Sequence, residues 1–450
     1  MRRMLHTTAR GAALLAALPV LAANALAAAV LPGRTRGAPP AGGALYVVVP
    51  YPPGDRSGGS TAIRGLLAAL GEGYAVETIP LYAMDARAGR VRRLLADWLT
   101  HALPMPVHCR PFALRAAAVR ERMADGRPVV VEFLSGAQFL LLGRRPANPL
   151  VLREHEPLCR RLWSERGVVE GIERPMRALQ AALAWLAMAA IYARVDRVVT
   201  LTPDDAAFLR RAFPFFARKV TDIPVSFDVP DDLPAPGTRG GGRELLFLAN
   251  FHHRPNVDGL RWLLREVAPR LGDGWTLHLC GLDQPLDAAD LPACGVAVVR
   301  HGFVADVGSA FAHVRIAVAP VISGGGVRMK NLALASLAKA IVTTSRGNEG
   351  IGFVDGRDAV VADDAAAMAA AILRLHADPA AAARIGALAR ERVRGGFGHA
   401  GVLARWRDEV FAGLGGEGRM NSRQQPHEVR LRGLAGVEGE EPAVRAPASV

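Results

Sequence analysis

Eight residues at positions 323–330, SGGGVRMK, carry the sharpest chemical signal in the sequence, with three glycines followed at once by Arg328 and Lys330. Gly324, Gly325 and Gly326 bring no Cβ, so the backbone can come close to a ligand there. A planar guanidinium and a compact ammonium then follow, and the set suits a diphosphate. Only Lys219, Lys330 and Lys339 are lysines among the 55 basic residues, so a lysine at this turn is informative. Read locally, the same residues also fit an ordinary turn with solvated cations. A second glycine-rich turn, YPPGDRSGGST at 51–61, offers Gly58 and Gly59. His155 and Glu156 follow another apolar run, where the local pattern suits a hydrogen-bonded loop histidine.

These residues need strands and helices to hold them. Residues 44–50, ALYVVVP, form a buried-strand pattern that two prolines stop, and IRGLLAAL after the glycines has helical spacing. Strand patterns follow at 74–81, 128–134, 149–154 and 196–202, with a long apolar helix pattern at 176–194. RAGRVRRLLADWLTHAL, at 87–103, reads as a basic amphipathic helix whose face is either solvated or docked on anionic lipid. The alternation predicts a parallel, doubly wound sheet over residues 44–228. Residues 229–243, VPDDLPAPGTRGGGR, read as a linker. Strand and helix alternate again over 244–398. A last helix at 399–414 places Val402, Trp406 and Val410 on one side, able to pack back on the first domain. The expectation is an α/β protein of two Rossmann-like domains facing across a cleft, each presenting a glycine-rich loop to it.

A length of 450 residues suits two such domains, and half the residues are apolar. The net charge of +13 favours an anionic partner such as a phosphorylated metabolite or anionic lipid. With aromatics at 6% and no basic stripe interleaved with them, nucleic acid is not expected as a partner. Cys109, Cys159, Cys280 and Cys294 form no CxxC pair, which fits a reducing compartment. Residues 1–43 include an uncharged, Ala/Leu-rich stretch that reads as a signal, a weak anchor or an over-extended start, leaving export open. Residues 415–450 read as a disordered tail. There is no GxSxG, HExxH, complete GxGxxG or GxxxxGK[ST] pattern. His252 and His253 are adjacent and poorly placed to share one ion, so no metal site is expected.

Five pieces in order resemble retaining glycosyltransferases of the GT-B fold, of the group 1 or family-four type: YPPGDRSGG, DRVVTLTPDDAAFL, LANFHHRPNVDGLRWLLREVAPRL, SGGGVRMK and TTSRGNEGI. The resemblance covers residues 44–414. It implies a C-terminal domain that binds a nucleotide diphosphate sugar and a cleft in which the sugar passes to a hydroxyl acceptor. Arg328 and Lys330 match the family's Arg-x-Lys and would act with His155, which matches a histidine that reaches the sugar. Gly58, Gly59, Arg254, Gly325, Gly326, Glu349 and Gly350 would line the donor site. No cofactor or metal is expected beyond the donor substrate. The implied acceptor is a glycan or lipid-linked molecule in polysaccharide or glycoconjugate synthesis, in the cytoplasm or at the inner face of a membrane. One position departs from the pattern, since Ala333 stands where many relatives have a glutamate for the ribose. Ala338 and Ala340 likewise replace a usual glycine and proline. A non-catalytic binding protein and a sugar-nucleotide epimerase of similar architecture are the alternatives.

Overall fold

The computed structural model describes residues 43–54, 58–84, 115–141, 145–167, 171, 173–233, 242–281, 295–323 and 326–414. The leader, the basic helix predicted at 87–103, part of the linker and the C-terminal tail lie outside them.

The first lobe is a six-stranded parallel sheet of order β2-β1-β3-β4-β5-β6. Its strands are β1 (Ala44–Val49), β2 (Ala75–Pro80), β3 (Val129–Glu132), β4 (Leu150–Glu154), β5 (Arg197–Thr200) and β6 (Val220–Asp222). The inner strands are mostly Val and Leu because helices cover both faces, leaving no polar side to alternate with. Those helices are α1 (Gly58–Gly71), α2 (Ala116–Arg122), α3 (Leu158–Glu165), α4 (Glu173–Tyr192) and α5 (Pro203–Ala212). Thr202 caps α5 by accepting from the backbone N–H of Asp205, and Pro203 at its first position loses no helical bond.

The second lobe repeats the plan with the order β12-β11-β10-β7-β8-β9. Its strands are β7 (Glu244–Leu248), β8 (Trp275–Cys280), β9 (Val296–Gly302), β10 (Ile316–Ala319), β11 (Ala340–Thr343) and β12 (Val360–Val361). The helices are α6 (Arg254–Trp262), α7 (Met329–Ser336), α8 (Ala365–Ala377), α9 (Pro379–Phe397) and α10 (His399–Arg405). The helix predicted at 256–271 is α-helical only through Trp262, then passes through a π turn (Leu263–Val267) and a 3-10 turn (Ala268–Arg270). Pro269 has no N–H for an i−4 carbonyl, so regular α-helical bonding fails there.

The chain returns to the first lobe at its end. Val402, Leu403, Trp406, Val410 and Phe411 are buried with Leu45, Val47, Ile63 and Leu66. Arg405 reaches the carbonyl oxygen of Asp222, and Thr221 donates to Glu409. Ala62, Leu201 and Val225 of the first lobe share a core with Leu332, Ile341 and Phe353 of the second, so apolar packing joins the lobes.

Ala338, between α7 and β11, sits at φ +52°. A Cβ is strained in that left-handed region, whereas glycine adopts it freely. Ala338→Gly is therefore expected to stabilise the fold by up to about 1 kcal/mol, the strain relief exceeding the added freedom of the unfolded chain. Urea unfolding of the two proteins checks this; an unchanged or lower midpoint would contradict it.

Candidate functional site

In an open parallel sheet, a ligand crevice opens where strand order reverses, because loops leaving the two strands turn to opposite faces. That point lies between β1 and β3 in the first sheet and between β7 and β10 in the second. The candidate residues leave the carboxyl ends of strands around these points. Gly58 and Gly59 follow β1, and His155 follows β4. Arg254 follows β7, while Gly326, Arg328 and Lys330 follow β10, with Glu349 and Gly350 beyond β11.

Arg328 immediately precedes α7 and is 8% exposed. Its Nε donates to the Arg346 carbonyl at 3.4 Å, and its guanidinium lies 4.0 Å from the Glu349 carboxylate. Burial lowers its pKa, opposed by Glu349 and by Glu156. Glu156 belongs to the first lobe, so carboxylates of both lobes act on Arg328. Lys330 donates from Nζ to Asn256 Oδ1 at 2.9 Å and lies 5.3 Å from the centroid of the Phe247 ring. Burial first, and Arg328 second, pull its ammonium down to about 7. His253 is held below its ordinary pKa by burial and by Arg328, Lys330 and the first lobe's Arg161. Among the described residues no carboxylate pairs directly with Lys330. The crevice thus gathers Arg328, Lys330 and His253 at the amino terminus of α7, with Glu349 and Glu156 as the carboxylates that act on Arg328. Such a place attracts a polyanion.

Asn331 braces the same corner, its Nδ2 donating to the Gly347 carbonyl at 2.8 Å and to Thr343 Oγ1 at 3.3 Å. The turn carrying Glu349 and Gly350 is thereby tied to α7. Gly350 has φ +75°, and a Cβ there would lie 2.6 Å from Thr202 Cγ2 of the first lobe. Gly58 comes from the other side, where a Cβ would be 3.6 Å from Met329 Cγ. The lobes therefore approach on both flanks of Arg328.

On the first lobe, Glu132 at the end of β3 is fully buried and pairs with Arg153 at 3.0 Å and His155 Nε2 at 2.6 Å. Burial alone would raise the Glu132 pKa, but Arg153 and His155 outweigh it and hold the carboxyl below its ordinary value. Burial lowers the His155 pKa more than Glu132 raises it, so the ring is neutral near pH 7. With Nε2–H donating to Glu132, Nδ1 remains as an acceptor. The ring stacks on Phe133 at 3.6 Å between centroids, and Phe133 is at φ +62°. A Cβ on Gly59 would stand 3.0 Å from the Phe133 ring, so glycine makes room for this stack.

The other candidates are placed differently. Arg254 projects into solvent, 79% exposed, and pairs with Asp258 on its own helix at 2.8 Å. Gly326 is at φ +81° with open space where a Cβ would be, and Gly325 lies outside the described residues. Ala333 is one turn past Lys330 on α7 and brings no carboxylate. Sequence reasoning missed Asn256, Glu132 and Asn331, whose roles depend on partners from other elements.

Residues 242–378 match the family described as "Glycosyl transferases group 1". No curated protein matches the chain by sequence. Among solved structures, sucrose-phosphate synthase from Thermosynechococcus elongatus superposes with a TM-score of 0.59 at 18% identity, covering 82% of this chain and 99% of that one. Anabaena HepE in complex with UDP-glucose gives 0.55 at 12% identity, covering 82% and 99%. A glycosyltransferase from Rickettsia africae gives 0.53 at 13%, covering 82% and 98%. At these identities the likeness is one of fold, and the fold is the two-lobed GT-B arrangement that the sequence resemblance implies.

Proposed function

We propose that this GT-B glycosyltransferase, whose residues 242–378 form a group 1 glycosyl transferase domain, moves a sugar from a nucleotide diphosphate sugar to a hydroxyl acceptor with retention of anomeric configuration. The observation that carries the reading is the pair Arg328, buried, and Lys330, partly buried and without a carboxylate partner among the described residues, at the switch point of the second sheet. Charge develops on the departing diphosphate as the glycosidic bond breaks, and fixed cations in a site shielded from water stabilise it strongly. The pair supplies the charge that a divalent ion would otherwise bring, so the step needs no metal. Gly58 and Gly59 let backbone amides near the phosphates, and Glu349 with Gly350 lines the donor side. His155, held by Glu132 and Phe133, accepts from a sugar hydroxyl. Holding the acceptor on the face that the diphosphate leaves gives retention.

The HepE structure with UDP-glucose supports the donor class. A glycan or lipid-linked acceptor in polysaccharide or glycoconjugate assembly fits the family resemblance, and nucleotide-sugar supply favours the cytoplasmic side. Among the described residues, no helix is long and apolar enough to cross a membrane.

One observation favours a second reading. Ala333 leaves the ribose without the charged partner many relatives supply, a hydrogen bond worth about 1.5–3 kcal/mol, and this fits a protein that binds without transferring. Incubating the purified chain with nucleoside diphosphates and a panel of nucleotide sugars separates the readings. A diphosphate at 100 times its Kd is expected to add about 2.7 kcal/mol of stability, visible as a raised Tm, and one sugar donor to release its nucleotide. Stabilisation without sugar release or transfer would favour the binding protein. Conversion of a donor with no acceptor would favour an epimerase.

A further inference from the structure

Four side chains meet on the second lobe around the amino end of β7. Glu244 is the first residue of β7, and His313 lies in the turn before β10, both at the amino edge of the sheet. His278 is on β8, where the register sets it beside Leu246, so it and Glu244 share a face two residues apart along β7. The Glu244 Oε1 atom lies 3.6 Å from His278 Nε2 and 3.8 Å from His313 Nε2. One ligand atom from each of the three residues lies within 4.8 Å of the others.

The His278 ring is oriented from behind. Its Nδ1 is 3.0 Å from Nε2 of His301 on β9, while its buried Nε2 has no hydrogen-bond partner. A proton on Nδ1, donated to His301, turns the Nε2 lone pair toward Glu244 and His313. This is how a metal-binding imidazole is commonly fixed, with the non-ligating nitrogen donating to a second group. Burial lowers the His278 pKa, and His301 and His313 oppose its protonation while Glu244 favours it. Phe311 packs against all three imidazoles with centroid distances of 5.4, 4.9 and 6.3 Å, limiting how far the rings can turn.

We propose that Glu244, His278 and His313 bind one divalent first-row transition-metal ion of the zinc class, with His301 holding His278 in the ligating tautomer. Two imidazole nitrogens and one carboxylate oxygen suit zinc and its neighbours and poorly suit magnesium or calcium, which prefer oxygen throughout. Ligands about 2.0–2.1 Å from zinc stand roughly 3.4 Å apart in a tetrahedron, so small side-chain movements close the site, with water at the fourth position. The ion would fasten the start of β7, where the linker ends, to β8 and to the turn before β10. Its role is structural and separate from sugar transfer.

The test uses the untagged full chain after EDTA treatment, titrated with Zn2+ by calorimetry and with Co2+ by visible absorption. The wild type is expected to take up Zn2+ saturably at this site, with a higher Tm, and to give the absorption of tetrahedral cobalt. His313→Gln, at a position 27% exposed, is expected to lose both signals while nucleoside diphosphate binding stays unaltered. Glu244→Gln should behave likewise. His301→Gln is expected to keep the stoichiometry and weaken affinity about 10–100-fold. Absence of saturable Zn2+ uptake by folded wild type would overturn the site, as would uptake that Glu244→Gln and His313→Gln leave unchanged.

Discussion

Replacing Lys330 by alanine is expected to weaken binding of a nucleoside diphosphate about 10–100-fold while leaving the bare nucleoside nearly unaffected. In the proposed donor site the lost contact would be a charge-assisted one worth about 1.5–3 kcal/mol, made to phosphate and not to the nucleoside. Turnover should suffer more, with kcat/KM falling about 10²–10³-fold, because charge on the diphosphate grows as the sugar leaves. The pH dependence gives an independent handle. Burial and Arg328 hold the free ammonium at about 7, whereas a bound diphosphate would raise it. Between pH 7 and the higher bound-state value, binding takes up a proton, so affinity falls as pH rises through that window. Calorimetry at pH 8 in two buffers of different ionisation enthalpy reads the proton directly, and Lys330→Ala should abolish it. Equal losses for nucleoside and diphosphate would remove Lys330 from the phosphate site. In the unliganded protein the sign reverses. The unfolded chain binds the extra proton between about 7 and 10.4, so Lys330 makes the fold more stable as pH rises across that range.

The largest stability loss is expected from Glu132→Gln. It leaves Arg153 fully buried without a counter-charge, a change that costs about 3–5 kcal/mol. Two nitrogens of Arg153 already lack hydrogen-bond partners, so nothing nearby stands ready to replace the carboxylate. Denaturant unfolding measures the cost, and the double variant Glu132→Gln with Arg153→Met should recover most of it because the stranded charge is gone. A loss below about 1 kcal/mol in the single variant would show that the pair is not what holds this corner. Acid should act in the same direction. The Glu132 carboxyl is held below its unfolded value, so its stabilisation is present above about pH 4.3 and is lost as pH falls toward the folded value. His155 is held below its unfolded value of about 6.5, so charging it already favours the unfolded chain as pH drops past that point.

The strands were legible because runs such as ALYVVVP and RIAVAPV are apolar on both faces and are cut short by proline or glycine. Their order in the sheet was open to inference only as a class, since a parallel sheet follows from alternation with helices. Arg328 and Lys330 could be found because both follow one glycine-rich turn. Glu132 and Asn256 could not, because Glu132 meets Arg153 from the neighbouring strand and Asn256 meets Lys330 from another helix. Arg254 has a local partner that its residue type alone does not reveal. Asp258, four residues along the same helix, claims its charge. Glu244, His278, His301 and His313 are spread over three strands and a turn with no motif spacing, so the expectation of no metal site could not weigh them together. Phe133 at positive φ was equally invisible, because nothing in its residue type favours that backbone.

The chain passes between the lobes twice, and the passages are laced to each other. The Phe227 amide donates to the Phe397 carbonyl at 2.8 Å, and Ser226 Oγ meets His399 Nδ1 at 2.5 Å. A single tether would let one lobe swivel against the other, scrambling which loop opposes which. Side by side, two strands of backbone behave like a strip hinge: bending across the strip is soft, whereas twisting it would break those contacts. Resistance to that twist keeps Gly58 opposite Met329 and Thr202 opposite Gly350.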